Sequence, residues 1–157
     1  MDGEAKTTTF PAPARSSDAS GARPLHLFDA GADEADYFSD VAPQGITPPL
    51  KMVATIAMVS ATTGNLIIDG AIEALTDGDS MDTDTSESLD TTNTSAATAV
   101  PGTAGNIKQI SVTLTNNDSI AAGDYYRLRF RRVGSNGSDS AAGDMALIEL
   151  ELRDDGG

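Results

Sequence analysis

Residues 106–132 read NIKQISVTLTNNDSIAAGDYYRLRFRR and decide the fold class. Two runs within this stretch alternate apolar and polar side chains, which gives each run one dry and one wet face, as in a half-buried β-strand. The Asn, Asp and Gly residues between the runs are typical of a turn. The stretch therefore predicts two strands joined by a turn. Their inward residues are Ile110, Val112 and Leu114 in the first strand and Tyr126, Leu128 and Phe130 in the second.

Further strands are predicted on both sides of this pair. Residues 50–60 (LKMVATIAMVS) follow two prolines and are apolar on both faces, which predicts a strand buried on both sides. In residues 65–75, Asp69 and Glu73 are expected on one face and the aliphatic residues Leu66, Ile68 and Ile72 on the other. A last strand is predicted where apolar residues alternate with charged ones, at Ala146, Ile148, Leu150 and Leu152.

Weaker candidates such as residues 25–29 bring the count to seven or eight strands with turns at regular spacing. This pattern, together with an aromatic content of only 4%, favours an all-β sandwich or barrel. Residues 1–24 are rich in Thr, Pro, Ala and Ser and are expected to form an extended N-terminal arm, with the β-sandwich over residues 25–157. Phe10, Tyr37 and Phe38 are isolated anchors in loop-like sequence.

Composition excludes several classes of function. The chain of 157 residues has a formal net charge of −14, which argues against wrapping nucleic acid, because phosphate binding depends on Lys and Arg. With no cysteine, neither disulfides nor thiolate metal sites are possible. No run approaches the roughly 20 apolar residues of a membrane span, and the N-terminus lacks a secretory pattern. We expect a soluble protein made in a cytoplasm.

Catalytic motifs are also weakly represented. The single histidine, His26, lies in an apolar stretch, so multi-histidine metal sites are excluded and any Ser-His-Asp set would have to use it. We expect it to be a half-exposed strand residue with a satisfied imidazole. Glycoside hydrolysis by paired carboxylates needs one buried acid in an apolar pocket beside a substrate cleft, and Glu73 is the only residue we would nominate for that role. We therefore expect no enzyme activity and no cofactor.

An acidic Ser/Thr-rich stretch runs through residues 76–105 and is expected to conceal a short strand or helix. Its carboxylates could supply oxygen ligands for calcium, but the spacing does not match an EF-hand. We expect a hydrated loop whose Asp and Ser side chains bond local backbone, and no metal. The carboxylates concerned are Asp77, Asp79, Asp82, Asp84, Glu87 and Asp90.

Three segments together resemble small structural proteins of tailed phages. They are SATTGNLIIDGAIEAL (60–75), AVPGTAGNIKQISVTLTNNDSIAAGDYYRLRFRR (99–132) and GDMALIELELRD (143–154). The resemblance implies a single jelly-roll domain of about eight antiparallel strands. Some members of this group are similar to capsid decoration (cement) proteins, which sit as trimers at threefold positions on the outside of the shell. An aromatic residue often follows the SATTGN glycine in such proteins, whereas this chain has Ile67, Ile68 and Asp69.

Arg127, Arg129 and Arg131 share one face of a predicted strand, and we call them the arginine stripe. Guanidinium groups pair bidentately with carboxylates, so the stripe could dock an acidic neighbour. The alternative is a solvated face neutralised by Glu149 and Glu151, if the last two strands form a hairpin. In a jelly roll those strands belong to opposite sheets. The interface residues we predict are Phe10, Arg15, Arg23, Arg127, Arg129 and Arg131.

The resemblance makes a virion decoration protein the leading functional prediction. Its partners would be the major capsid protein and two further copies in a homotrimer, with no nucleic acid or membrane, on the capsid surface after synthesis in the host cytoplasm. The alternative is a receptor- or glycan-binding module of a head or tail fibre, with contacts from residues 77–90 or 135–144. Few exposed aromatic side chains are available to stack on sugars, which weakens that alternative.

Overall fold

The computed structural model describes residues 12–15, 24–80 and 88–154, and of residues 12–15 and 24 it describes the backbone. Eleven β-strands lie within this part of the chain. They are β1 (Ala12–Arg15), β2 (Pro24–Phe28), β3 (Asp33–Val41), β4 (Leu50–Met58), β5 (Asn65–Leu66), β6 (Ile68–Leu75), β7 (Asn93–Thr94), β8 (Thr98–Ala99), β9 (Ile107–Leu114), β10 (Tyr125–Val133) and β11 (Met145–Asp154).

The strands form a jelly-roll sandwich. One sheet has the order β1-β2-β11-β4-β9 and the other β3-β10-β6-β7, while β5 and β8 form a small ribbon. All pairs are antiparallel, and they nest: β2 pairs with β11, β3 with β10, β4 with β9, and β6 with β7. This nesting is that of one long hairpin rolled into two sheets, the topology of a jelly roll. The eight strands that build it confirm the predicted fold.

The alternation predicted for the deciding stretch is confirmed. Ile110, Val112 and Leu114 of β9 are buried while the residues between them are exposed, and Leu128 and Phe130 of β10 face the same core. The edge of the Phe130 ring packs on the ring of Phe28 from the opposite sheet, with centroids 5.2 Å apart. Such a pair adds to the energy of apolar burial and holds the two layers together.

The predicted strand over residues 65–75 is divided into β5 and β6 at Ile67, but its two faces are as expected. Ile68 and Ile72 lie in the core, whereas Asp69 and Glu73 lie on the outer face. Gly70 faces the other sheet, and a Cβ atom there would come within 2.8 Å of the Met52 Cε atom. The missing side chain therefore makes room for Met52.

The loop-like interpretation of the sequence around Tyr37 and Phe38 is wrong, because Asp33–Val41 is a nine-residue edge strand. The carboxylates of two acids on this strand accept a hydrogen bond from the N–H of the next residue. Asp36 accepts from the Tyr37 N–H at 2.8 Å, and Asp40 accepts from the Val41 N–H at 2.7 Å. Acidic residues are uncommon in strands and concealed this one. At a sheet edge they also discourage pairing with another chain.

The predicted alternation in β11 is wrong at its start. A β-bulge lies between Leu147 and Glu149, so the inward residues before it are Met145 and Leu147 rather than Ala146, and Ile148 is partly exposed. A bulge adds one residue to a strand and so inverts the alternation on one side of it. After the bulge, Leu150 pairs with Ala54 on the inner face, as expected.

The acidic stretch contains two short strands, β7 and β8, as expected of a long loop in a compact domain. From the predicted arm, Ala12–Arg15 pairs with β2 as an edge strand, while the rest of residues 1–23 lies outside the described residues. Within residues 12–15, 24–80 and 88–154 no helix is long and apolar enough to cross a membrane.

Candidate interaction surface

The arginine stripe lies on the outer face of the four-stranded sheet. Its strand, β10, runs between β3 and β6, so each arginine has a neighbour on both sides. Arg127 lies between Ser39 and Glu73, and Arg131 lies between Ala35 and Asp69. The side chains are partly buried, with 13% of the Arg129 side chain exposed. Stems packed along the sheet explain this burial.

Carboxylates of β6 pair with the stripe. Arg131 donates through Nε and Nη2 to Asp69, with Nε 3.0 Å from Oδ2. Arg127 Nη2 lies 3.0 Å from Glu73 Oε2. Arg129 Nη2 donates to the Thr92 hydroxyl at 2.8 Å and lies 3.8 Å from Asp69 Oδ1. The stripe is therefore largely neutralised within its own sheet.

The partners that we considered for the stripe, Glu149 and Glu151, lie elsewhere. Both belong to β11 in the five-stranded sheet, because the last two strands pair with different neighbours. Glu151 instead lies near Arg153 on its own strand, at 3.8 Å with both side chains about half exposed. The hypothesis that the last two strands form a hairpin is wrong. These strands lie in opposite sheets, as expected in a jelly roll.

The Arg127–Glu73 pair is incompletely satisfied. Only 3% of the Glu73 side chain is exposed, and its Oε1 atom has no hydrogen-bond partner among the described residues. The Nε atom of Arg127 is likewise buried without a partner, although the guanidinium lies 5.8 Å from the centre of the Tyr37 ring. Buried donors and acceptors in native proteins are nearly always bonded.

An apolar row adjoins this pair. Tyr125 lies directly between Val41 of β3 and Leu75 of β6, one row beyond Arg127 on the same face, and we call these three residues the apolar row. The Val41 residue is 55% exposed and Tyr125 is 41% exposed, while Leu75 is half-buried. An exposed tyrosine beside aliphatic residues and an arginine is typical of protein interfaces.

The other predicted interface residues are not all described. Arg15 ends β1 and pairs through its backbone with Pro24. Phe10 and Arg23 lie outside the described residues, so their interface role stays a prediction.

His26 lies on β2, between the edge strand β1 and β11. Its Nδ1 atom is hydrogen-bonded to the Asp36 carboxylate of the opposite sheet, and the ring stacks on Phe38 with centroids 6.4 Å apart. The side chain is 46% exposed. The expectation of a half-exposed, satisfied imidazole is confirmed. Glu73, the nominated buried acid, lies on the opposite face of its sheet from the core and pairs with Arg127.

Glu34 is a buried carboxyl group at one end of β3. Its Oε2 atom accepts a hydrogen bond from the Asp29 N–H at 2.6 Å. Burial raises the pKa of Glu34 above its ordinary value, and the nearby carboxylates of Asp29 and Asp144 act in the same direction. The Asp29 N–H and the Arg132 guanidinium oppose that rise in the pKa.

Carboxylates of the acidic stretch bond nearby backbone. Asp79 accepts from the Thr76 N–H at 2.9 Å, and Asp90 accepts from the Thr91 N–H and from the Asp118 N–H. These contacts are of the kind expected for a hydrated loop. Within residues 12–15, 24–80 and 88–154, no group of three or more potential ligands could hold a metal. Asp82, Asp84 and Glu87 lie outside the described residues.

A shallow groove of about 370 Å³ lies on the outer face of the five-stranded sheet. Lys51 and Arg153 are direct cross-strand neighbours in it. Like charges placed opposite each other are unfavourable. Asp154 accepts from the Thr47 N–H at 2.9 Å. The groove is lined by Lys51, Val53, Gln109, Ser111, Arg153 and Asp154.

The turns that carry the phage resemblance meet at one end of the sandwich. In the 60–65 turn, the carbonyl oxygen of Gly64 accepts a hydrogen bond from the Val100 N–H of the 100–105 turn at 3.0 Å. The Asn65 N–H donates to the Ser140 hydroxyl in the loop before β11, and Ser140 N–H donates back to Asn65 O at 2.9 Å. A Cβ atom on Gly64 would lie 2.6 Å from Ser140 O, so glycine permits this close approach.

No protein-family model matches this chain, and no curated protein matches it. Among solved structures, a chain of the "Structure of infectious bursal disease virus Gx strain" is similar, at a TM-score of 0.37 and 14% sequence identity. The similarity covers 94% of the present chain and 37% of the viral one. The present chain therefore spans well under half the length of that viral chain.

Proposed function

We propose that this chain is a virion structural protein that decorates the outer surface of a tailed-phage head as a trimer. One observation carries the proposal. The segments that resemble phage decoration proteins contain β5, β6, β9, β11 and all but the last residue of β10, and the 60–65 and 100–105 turns within them are hydrogen-bonded to each other at one end of a jelly roll. The work assigned to the fold is attachment to the major capsid protein.

The N-terminal arm supplies part of the grip in this proposal. An extended segment buries much surface per residue and loses its conformational freedom only on docking. Repetition over the shell multiplies a modest affinity, because three arms of one trimer bind together. Residues 1–11 precede β1, which is itself fixed to β2 at the edge of the five-stranded sheet. Phe10 and the arginines of the arm are the contacts expected on the capsid.

The proposal assigns no catalytic step to the chain. The single imidazole is engaged with Asp36 and Phe38, and the Glu73 carboxylate is held by Arg127. The His26 contacts join the two sheets, and the Arg127–Glu73 pair joins neighbouring strands on the outer face of one sheet. Replacing His26 with Asn is therefore expected to leave binding to particles unchanged.

Truncation tests the role of the arm. Particles grown without this chain would be mixed with purified full-length chain or with a chain lacking residues 1–11, and bound copies counted after sedimentation. The shorter truncation is preferred to removal of residues 1–23, since it spares the β1 backbone that pairs with β2. We expect occupancy to fall strongly, with Phe10→Ala giving a smaller loss. Full occupancy by the truncated chain would refute the role of the arm.

Light scattering of the purified chain in solution tests the trimer. A mass three times that of the 16.1 kDa chain is expected. If the chain is a monomer at micromolar concentration, the trimer is removed from the proposal whether or not the chain binds particles.

A further inference from the structure

The loop between β10 and β11 carries an Asn-Gly pair, Asn136 and Gly137. Both residues are exposed, and a Cβ atom built on Gly137 would meet no atom beyond its chain neighbours within 4 Å. The Gly137 N–H donates no hydrogen bond to any of the described residues. Because glycine has no side chain, nothing attached to the residue shields this nitrogen. The Gly137 nitrogen is therefore accessible and unengaged.

The Asn136 side chain is folded back along the residues that follow it. Its Oδ1 atom accepts a hydrogen bond from the Ser138 N–H at 2.9 Å, which holds the side-chain carbonyl group close to the peptide bond between Asn136 and Gly137. The same N–H draws electron density from the carbonyl carbon and stabilises negative charge that develops on Oδ1. The loop thus holds an electrophilic carbon, Asn136 Cγ, close to the nitrogen of Gly137.

Three other asparagines lack this combination. Asn93 is buried, and its side-chain amide both donates and accepts hydrogen bonds. Asn117 is followed by Asp118, whose N–H already donates to a carboxylate at 2.9 Å. Asn106 is exposed, but the β-branched side chain of Ile107 crowds the nitrogen that would have to attack. Each of these side chains is therefore less reactive than the one in the Asn-Gly pair.

We propose that Asn136 is a site of spontaneous deamidation through a cyclic imide. The Gly137 nitrogen gives up its proton to water or hydroxide and attacks Asn136 Cγ, which forms a new C–N bond. The bond from Cγ to the side-chain nitrogen breaks, and that nitrogen takes up a proton and leaves as ammonia. Water then opens the imide, and no atom is oxidised or reduced. Opening at Cγ gives aspartate, and opening at the main-chain carbonyl carbon gives isoaspartate.

The two products have different effects on the fold. Aspartate adds a negative charge at an exposed position. Isoaspartate routes the backbone through the side chain and adds a carbon atom to a turn that positions Asp139, because the Asp139 N–H donates to Asn136 O at 2.8 Å. Asp139 is the carboxylate partner of the buried Arg132. We expect isoaspartate, but not aspartate, to weaken the pairing between β10 and this loop.

Ageing of the purified chain in warm, mildly alkaline buffer tests the proposal. Deamidation exchanges an amide NH2 group for OH, so peptide mapping by mass spectrometry detects it at each asparagine. A methyltransferase specific for isoaspartate counts that product. We expect the peptide with Asn136 to convert several-fold faster than the peptide with Asn106, at a rate that rises with pH. Equal rates at the two asparagines would overturn the proposal.

Gly137→Ala tests the attacking nitrogen. Gly137 does not have a positive φ and the new Cβ atom lies in open space, so the fold accommodates alanine. We expect the reaction at Asn136 to slow several-fold without loss of stability before ageing. Gly102→Ala is the matched control, because Gly102 has the same open surroundings and no positive φ, and it should leave the rate unchanged. An unchanged rate in Gly137→Ala would contradict the attack by this nitrogen.

A comparison of the folded chain with the chain in urea tests the part played by the loop. Because the Ser138 N–H assists the attack, we expect the folded chain to react at least as fast as the denatured chain. Ser138→Pro removes that donor and should slow only the folded chain. If Asn136 stays intact in the folded chain but converts in urea, the loop protects this residue and the proposal is wrong.

Chemical denaturation distinguishes the two products. Aged chain rich in isoaspartate should unfold at a lower denaturant concentration than fresh chain, whereas Asn136→Asp should unfold together with fresh chain. If aged and fresh chain unfold together, the link from this turn to the Arg132–Asp139 pair is wrong. None of these measurements requires phage particles, so their outcome is independent of the proposed function.

Discussion

Arg132 and Asp139 form an ion pair that the protein encloses completely, with Nη2 2.9 Å from Oδ1 and neither side chain more than 2% exposed. Nε donates to the second carboxylate oxygen at 3.2 Å. The remaining donors reach the carbonyl oxygens of Phe28, Ala141 and Gly143. A guanidinium has five N–H donors, and each is used here. The pair therefore ties β2, β10 and the loop before β11 together at the end where the turns meet.

Breaking this pair should destabilise the fold severely. Asp139→Ala leaves the Arg132 charge buried without its carboxylate, and loss of one partner of a buried pair costs about 3–5 kcal/mol. Chemical denaturation measures the free energy of unfolding. Arg153→Ala is the control, since its contact with Glu151 is about half exposed, and it should change stability by less than about 0.5 kcal/mol. Equal unfolding midpoints for Asp139→Ala and the unmodified chain would contradict the structural role of the pair.

Glu34 should make stability fall as the pH rises. Burial raises its pKa, so the folded chain holds this proton more tightly than the unfolded chain. Its contribution to stability is present below the ordinary pKa of 4.5 and is lost as the pH rises through the higher folded pKa. Glu34→Gln keeps an oxygen for the Asp29 N–H and removes the charge. We expect the variant to be more stable at pH 7, with a difference that shrinks towards pH 4. Unfolding curves that differ equally at both pH values would be inconsistent with a raised pKa.

Gly64 should be far less replaceable than Gly78. Both have a positive φ, 97° and 98°, so alanine meets similar backbone strain at each site, about 1 kcal/mol. Only at Gly64 would the new Cβ atom meet backbone, 2.6 Å from Ser140 O. We expect Gly64→Ala to lose at least about 2 kcal/mol more than Gly78→Ala, because overpacking against backbone is not relieved by a side-chain rotation. Similar melting temperatures for the two variants would show that the 60–65 turn and the 134–144 loop are not closely packed.

Asn93 should control opening between the two sheets near β7. Its Oδ1 atom accepts from the backbone N–H groups of Thr115 and Asn116, and its Nδ2 group donates to the carbonyl oxygens of Thr91 and Asn116. Asn93→Ala removes these bonds and leaves the two N–H groups without their acceptor. We expect faster amide hydrogen exchange at Thr115 and Asn116, with exchange in the middle of β10 unchanged. Unaltered exchange at both amides would contradict this role.

Strong alternation allowed much of the fold to be predicted from the sequence. The residues between 106 and 132 have a core face and a polar face that the structure reproduces, and Asp69 and Glu73 lie on the outer face as expected. Alternation succeeds there because one face of each strand meets water and the other meets the opposite sheet.

The local sequence pattern did not reveal structural features that depend on residues far away in the chain. The strand Asp33–Val41 was hidden by its acids, which are compatible with a sheet edge, and the β11 bulge inverted an otherwise regular pattern. Arg132 falls on the dry face of β10, after Leu128 and Phe130, and this departure from alternation was the available signal of a buried charge. Its partner, Asp139, lies in a loop whose position depends on the whole topology. The same holds for the pairing of the arginine stripe with β6.

The copy number of this chain in purified virions tests the central claim most directly. Quantitative mass spectrometry would give the ratio of this chain to the major capsid protein. Trimers at the positions where three capsid subunits meet predict about one copy per capsid subunit, because each subunit then faces one copy. A ratio corresponding to only a few copies per particle, as for a tail component, would contradict the account.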